Sequence, residues 1–365
     1  MAPPSRRPHS PPPLMEELME EILLRVPPDE PAHLFRMALV CKPWRRILSN
    51  RGFLRRYRTF HRAPPLLGYL HNLGEGPIPP FVSTTAASLF SPPPLGGYWW
   101  ALDCRHGRVL IHSRQAGLGE HLVVWDPISG DTKRIGMPPY PDTSCAGAVL
   151  CAVDGCDHLD CHDGPFLVVF VGTDSSDEGP DTCAVVYSSE TGVWGASVST
   201  AAGDDVESKP SLLIGDALYF TLQNGVLKYD LGRHELSEIE PPGVCGSIFM
   251  EVEDGVLGFV AESDNCIYKW LWQADANGTG RWEKHMVMEL ETVLPRPARC
   301  TSYEVIALVE GTDAIFVSGS VVGVFTLDLK SKKVNWVGKC APYYVILPYR
   351  SFYPPDLAMG RLSLE

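Results

Sequence analysis

The stretch ALVCKPWRRILSN (residues 38–50) decides how this chain is read. It sets apolar residues, a cysteine, a proline, a tryptophan and two arginines close to the N-terminus, in a segment too short to close a core of its own. Either the rest of the chain covers it or another protein does. Pro43 disfavours helical geometry at Lys42 but suits the first turn of a new helix. The spacing therefore predicts a break at VCK and a short helix over PWRRIL.

The upstream segment LMEELMEEILLRVPPDEP has a helical period. Leu14, Leu18, Ile22 and Val26 recur every four residues, and Met15, Met19 and Leu23 form a second stripe beside them. Glutamates at 16, 17, 20 and 21 fill the other side. This predicts a helix with a wide apolar face, ended by Pro27 and Pro28. A second helix is expected over PAHLFRMALVC, and FLRRYRTFH adds one or two more turns after Gly52. Helices this short bury too little surface to be comfortably stable alone. Burying one Leu or Ile contributes about 1.5–3 kcal/mol, so several left in water favour association. The cover is either the downstream chain or a partner.

From Pro64 onward the texture changes to strand, turn, strand. HLVVWDPISGDTKRI (121–135), AVVYSSETGVWGAS (184–197), GVLKYDLGRHELSEI (225–239), IYKWLWQADANGTGRWEKHMV (267–287) and GVFTLDLKSKKVNWV (323–337) share one form. In each an apolar strand meets a polar turn and then an alternating strand. With Asp126, Ser189, Asp230, Asp275 and Asp328 as turn markers, the gaps are 63, 41, 45 and 53 residues. CRHGRVLIHS, SLLIGDALYFTL, VEDGVLGFVAES and IALVEGTDAIFVSGS supply further hairpins between them. Units of roughly 40–50 residues with four strands each point to propeller blades; a non-periodic β-sandwich array is the competing architecture. Five units are visible, and PLLGYLHNLG and APYYVILPY are candidates for degenerate ones.

The chain has 365 residues, 45% of them hydrophobic, which suits more than one domain. The net charge of -13 is uneven: residues 1–62 hold twelve Lys/Arg against six Asp/Glu, and the excess acid lies beyond them. An acidic whole argues against nucleic acid as the main ligand. Arginines mixed with apolar residues suit an acidic protein partner. MAPPSRRPHSPPP has no apolar signal core, and runs such as FLVVFVG are far too short to cross a bilayer. The eleven cysteines therefore read as reduced thiols in a cytoplasmic or nuclear protein without membrane contact.

The segment CAVDGCDHLDCHDG crowds Cys151, Cys156, His158, Cys161 and His162 together. The spacing C-x4-C-x-H-x2-C-H lacks the paired C-x2-C knuckles of zinc motifs, and its aspartates follow no calcium-loop order. It reads as an exposed inter-strand loop, and no metal or cofactor is assigned. No G-x-S-x-G, H-E-x-x-H, phosphate loop or G-x-G-x-x-G is present, so no enzyme is expected. A catalytic propeller drawing residues from several blades is the reading that motifs cannot exclude.

The N-terminal residues resemble an F-box, the adaptor-binding module of SCF-type cullin-RING ubiquitin ligases. The matches are Glu17-Leu18, Glu21-Ile22-Leu23, Arg25-Val26-Pro27, Leu34, Arg36, Val40-Cys41-Lys42, Trp44-Arg45, Ile47-Leu48, Ser49 and Phe53. Met15 stands where the pattern has proline, and Ser49-Asn50-Arg51 replaces Ser-Asp-Pro. The layout resembles grass-type plant F-box proteins with a β-propeller-like associated domain, CRHGRVLIH and LVVWDP being the most suggestive pieces. The resemblance implies a disordered tail over 1–13, an F-box over 14–62, a kelch-like propeller of five to six blades over 66–350 and a tail over 351–365. It implies a substrate-recognition subunit whose F-box docks a Skp-type adaptor while the β domain selects a client for ubiquitination. The alternative is a propeller scaffold or ligand sensor. The adaptor-binding residues it implies are Leu14, Leu18, Ile22, Leu23, Val26, Pro27, Leu34, Leu39, Val40, Cys41, Lys42, Trp44, Arg45 and Leu48. Trp44 is the preferred anchor, with Lys42, Arg45 and Arg46 at the rim.

Overall fold

An aspartate at the head of the turn organises three of the hairpins. Asp126 Oδ1 accepts N–H bonds from Ile128 (2.8 Å) and Ser129 (3.2 Å). Asp230 Oδ1 accepts from Gly232 (3.1 Å) and Arg233 (2.9 Å), and Asp328 Oδ1 from Lys330 (3.2 Å) and Ser331 (2.6 Å). Such side-chain turns satisfy backbone donors that a tight reversal would otherwise leave open. The backbone N–H groups hold the Asp230 and Asp328 carboxyls below the usual carboxylate range.

The computed structural model describes residues 15–72, 81–84, 98–115, 117, 119–138, 144–161, 163–176, 179–201, 204–243, 246–252, 255–274, 280–294, 302–339 and 345–352. The chain divides into two compact units, one containing Met1–Pro65 and the other Leu66–Thr84 with Ser88–Ser351. The first holds helices α1 (Glu16–Leu24), α2 (Pro31–Val40), α3 (Lys42–Leu48) and α4 (Arg51–His61). The break between α2 and α3 falls one residue earlier than the proline rule places it. Cys41 is extended (φ -158°, ψ 159°) and Lys42 already opens α3, with Pro43 in its first turn. Asn50 caps α4 by accepting from the N–H groups of Gly52 (2.8 Å) and Phe53 (3.1 Å).

The second unit is all β, in six sheets. Strands β1 (Leu66–Asn72) and β2 (Phe81–Ser83) belong to the first. The second is β3 (Tyr98–Arg105), β4 (Arg108–Gln115), β5 (Gly119–Trp125) and β6 (Thr132–Gly136). The third is β7 (Ser144–Cys151), β8 (Phe166–Ser176), β9 (Gly179–Ser188) and β10 (Val198–Ala201). The fourth is β11 (Leu212–Ile214), β12 (Ala217–Thr221), β13 (Val226–Asp230) and β14 (Glu235–Ile239). The fifth is β15 (Ile248–Val252), β16 (Val256–Ser263), β17 (Cys266–Ala274) and β18 (Gly280–Glu289). The sixth is β19 (Tyr303–Leu308), β20 (Ala314–Gly319), β21 (Gly323–Asp328) and β22 (Val334–Gly338). Within these five sheets each strand pairs antiparallel with the next in the chain. The last strand, β23 (Val345–Arg350), returns to the first sheet and pairs antiparallel with β1.

This is a six-bladed propeller. The first strand of a blade lies beside the first strand of its neighbour: β3 by β7, β11 by β15, β15 by β19, β19 by β23 and β23 by β3. The five sequence units are blades two to six; of their turn markers, Asp275 lies outside the described residues. PLLGYLHNLG and APYYVILPY, at opposite ends of the β sequence, are not separate degenerate units. They are β1 and β23 of one blade, with Leu70 opposite Leu347 and Asn72 opposite Val345.

Apolar clusters between successive blades explain the continuous apolar runs. In β8, Val168 and Phe170 pack with Leu110 and Leu122 of the second blade. Val169 and Val171 point the other way, onto Leu218 and Phe220 of the fourth. A strand buried on both faces needs no polar alternation, which is why FLVVFV carries none. The outer strand β10 does alternate: partly buried and exposed residues take turns along it. Two-residue hairpins close β3 to β4 through His106-Gly107 (φ 54° and 75°) and β16 to β17 through Asp264-Asn265 (φ 54° and 61°). Positive φ at both positions matches the right-handed strand twist.

A buried ionic network crosses the inner ends of the blades. Arg105, on β3, pairs with Asp103 (2.7 Å) and with Glu310 beyond β19 (2.8 Å). It also donates to the Ser211 carbonyl (2.6 Å) before β11. Asp103 accepts from the Val149 N–H of β7 (2.8 Å), and Arg350 of β23 donates to the Glu310 carbonyl (2.7 Å). Burial pushes the Asp103 carboxyl up to about 6, against the pull of Arg105.

Two outcomes follow from this architecture. Arg105→Met strands a buried carboxylate and lowers the unfolding free energy by about 3–5 kcal/mol, measured by urea denaturation. A chain ending at residue 344 lacks β23 and leaves β1 with only β2; it shows no cooperative unfolding transition by circular dichroism or calorimetry.

Candidate functional site

The residues with the clearest unpaid apolar exposure lie on the first two helices. Three of the four glutamates of α1 reach the basic helices that follow. Arg56 of α4 bonds Glu20 (2.6 Å) and Glu21 (3.3 Å), and Arg46 of α3 pairs with Glu16. Tyr57 Oη donates to the Val26 carbonyl (2.7 Å), and His61 Nε2 lies 3.0 Å from the Leu24 carbonyl. Leu23 and Leu24 are buried. With its acidic side engaged inward, α1 presents Met15, Leu18 and Ile22 to solvent; Leu18 and Ile22 are each 47% exposed. The spacing i, i+3, i+7 places the three on one face.

Helix α2 behaves in the same way at its end. Leu34 and Ala38 are buried, while Leu39 and Val40 are 59% and 66% exposed. Cys41, Lys42 and Arg45 follow, also exposed, and Trp44 is half-buried. Pro27 is exposed beyond α1.

The structure therefore divides the fourteen sequence-derived positions. Leu18, Ile22, Pro27, Leu39, Val40, Cys41, Lys42 and Arg45 are accessible. Leu23, Val26, Leu34 and Leu48 are buried and lie in the interior of the helical unit. Trp44 is half-buried, and Arg46 is exposed while paired with Glu16. Leu14 lies outside the described residues. Met15, which departs from the proline of the family pattern, joins the exposed stripe at 64% exposure.

The β unit holds a second convergence of reactive side chains. Cys151, Cys156, His158 and Cys161 each place one ligand atom so that all four lie within 4.8 Å of one another. His162 lies outside the described residues. Among the described residues no helix is long and apolar enough to cross a membrane.

Residues 14–56 match the F-box domain family. No curated protein matches the sequence. Among solved structures, the chain is similar to the extracellular domain of a one-component system from B. thetaiotaomicron, at 14% identity and a TM-score of 0.35 over 66% of this chain. The match spans 28% of that protein's chain. It is also similar to a structural genomics protein of unknown function from Bacteroides thetaiotaomicron, at 12% identity and a TM-score of 0.37, covering 77% of this chain and 67% of the other. The blade assignment rests on the strand ladders, not on these likenesses.

The split between exposed and buried leucines has a direct readout. Leu18→Asp changes the stability of the isolated protein by no more than about 0.5 kcal/mol. Leu23→Ala, which empties a buried site on the same helix, costs about 2–5 kcal/mol. Urea titration followed by helical ellipticity distinguishes the two.

Proposed function

We propose that this chain is the substrate-recognition subunit of an SCF-type cullin-RING ubiquitin ligase. An F-box domain implies the adaptor role, and the six-bladed β unit is the module suited to hold a client. One observation carries the reading: Met15, Leu18, Ile22, Leu39 and Val40 stay exposed on an F-box whose interior is closed by Leu23, Leu24, Leu34, Ile47 and Leu48. Water-exposed aliphatic side chains on ordered helices favour association with a complementary apolar groove. Lys42 and Arg45, beside them in the sequence, would steer an acidic Skp-type adaptor toward that face.

The chain itself would perform no bond chemistry. Holding a client near a separate conjugating enzyme raises the local concentration of the reacting lysine, and proximity of this kind is a large rate factor. The cytoplasm and the nucleus, where such ligases meet their clients, are the proposed locations. The family layout of an F-box ahead of a propeller is what favours the grass-type assignment. Exposed aromatic side chains on the β unit, such as Trp272 and Trp336, are available for a client surface.

Co-expression with a Skp-type adaptor tests the reading. The wild-type chain is expected to carry the adaptor through affinity purification and size exclusion. The double substitution Leu18→Asp with Leu39→Asp is expected to lose it while the thermal transition of the β unit is unchanged. An adaptor retained at full stoichiometry by that variant counts against the assignment.

A further inference from the structure

We propose that Cys151, Cys156, His158 and Cys161 form a zinc site that staples the connection between β7 and β8 of the third blade. The inference stands on the β unit alone and is independent of adaptor binding.

The donors already surround a point. Zinc–sulfur bonds of about 2.3 Å and zinc–nitrogen bonds of about 2.0–2.1 Å at tetrahedral angles set neighbouring ligand atoms about 3.6–3.8 Å apart. Cys161 Sγ and His158 Nδ1 are 3.7 Å apart. All four donors fall within 4.8 Å of one another, so closing the set needs movements of about an ångström. Three thiolates and an imidazole suit zinc, whereas hard cations prefer oxygen.

The backbone prepares the sulfurs. The Val153 N–H donates to Cys151 Sγ and the His158 N–H to Cys156 Sγ, both at 3.4 Å. Each amide sits two residues after its cysteine and fixes the direction of its sulfur. Gly155 (φ 64°) and His158 (φ 55°) adopt left-handed backbone, which turns the loop sharply enough to bring Cys156 and Cys161 back to Cys151. His158 is also oriented from outside the loop: its ring stacks on His106, centroids 4.1 Å apart, at the β3–β4 turn.

Charge balance is the independent observation. Arg108 is 2% exposed, and its Nη2 donates to the carbonyls of Cys161 and of Gly164 (2.6 Å). Its Nη1 is buried without a hydrogen-bond partner. Burial works against this guanidinium, and Cys161, Cys151, Asp126 and Asp163 lie close enough to oppose that effect. A buried cation is costly unless paired. Zinc held by three thiolates and a neutral imidazole carries one net negative charge, which adds to Asp126 and Asp163 beside that guanidinium. A disulfide would occupy only two of the three sulfurs and leave His158 without a role in the cluster.

The test is metal analysis of the full chain, purified and dialysed against metal-free buffer. Wild type is expected to retain about one zinc per chain. Cys156→Ser and Cys161→Ser are expected to lose it, while Cys266→Ser, altering a cysteine on β17, keeps it. Because Cys161 is buried and its variant can fail to fold, His158→Cys provides a second arm. It substitutes one zinc ligand for another and is expected to keep the full load. Cobalt(II) in place of zinc should give thiolate charge-transfer absorption in wild type and a shifted, more intense band in His158→Cys. Wild-type chain without zinc, chain loaded with a different metal, or a Cys156→Ser protein with undiminished zinc each overturns the proposal.

Discussion

The guanidinium of Arg105 is the point on which the β unit depends. It sits at 5% side-chain exposure between a carboxylate of its own strand and one from the sixth blade. Through these and the backbone groups they bind, the second, third, fourth, sixth and first blades are tied at one level. Neighbouring blades also meet through apolar side chains, which fill space but do not fix a rotation about the ring. Directional charge-assisted bonds do fix it. A buried charged network of this kind is weak evidence for stability in itself, because desolvation offsets much of the Coulomb gain. Its effect here is to specify one relative setting of the blades, since any other setting strands a charge.

The closure of the ring makes the same demand on the chain. β23 lies between β19 and β3 and completes a blade begun by β1. The first and last strands of the β unit therefore meet only after everything between them has been placed. Long-range pairing of this sort delays the reward for folding until late. It also leaves no open edge on β1 in the finished fold, where an unpaired strand would invite association.

The helical unit solves the opposite problem. Some of its apolar surface stays uncovered, while acid on α1 is paired with the basic helices beside it. Glu16, Glu20 and Glu21 reach arginines on α3 and α4, so the glutamate side of α1 is occupied and its leucine–isoleucine stripe is left facing water. The pairs are partly exposed, and each is worth about 0–1 kcal/mol. Taken together with the burial of Leu23 and Leu24, they set the rotation of α1 about its axis, and that rotation decides which apolar residues a partner can reach.

What the sequence determined by itself was local. The four-residue period of α1, the Pro43 break, the Asp-headed turns and the roughly 45-residue spacing of hairpins are all written in neighbouring residues, and each maps onto one element of the fold. The F-box pattern is legible for the same reason, since its residues lie within one short stretch. The tertiary structure alone decided that PLLGYLHNLG and APYYVILPY are halves of one blade, because strand pairing across the whole β sequence leaves no period to read. It decided that Leu18 faces water while Leu23 does not, because that depends on arginines some thirty residues away. It brought Cys151, Cys156, His158 and Cys161 to one point although their spacing fits no paired knuckle, because left-handed turns at Gly155 and His158, not the intervals between cysteines, bend the loop back on itself.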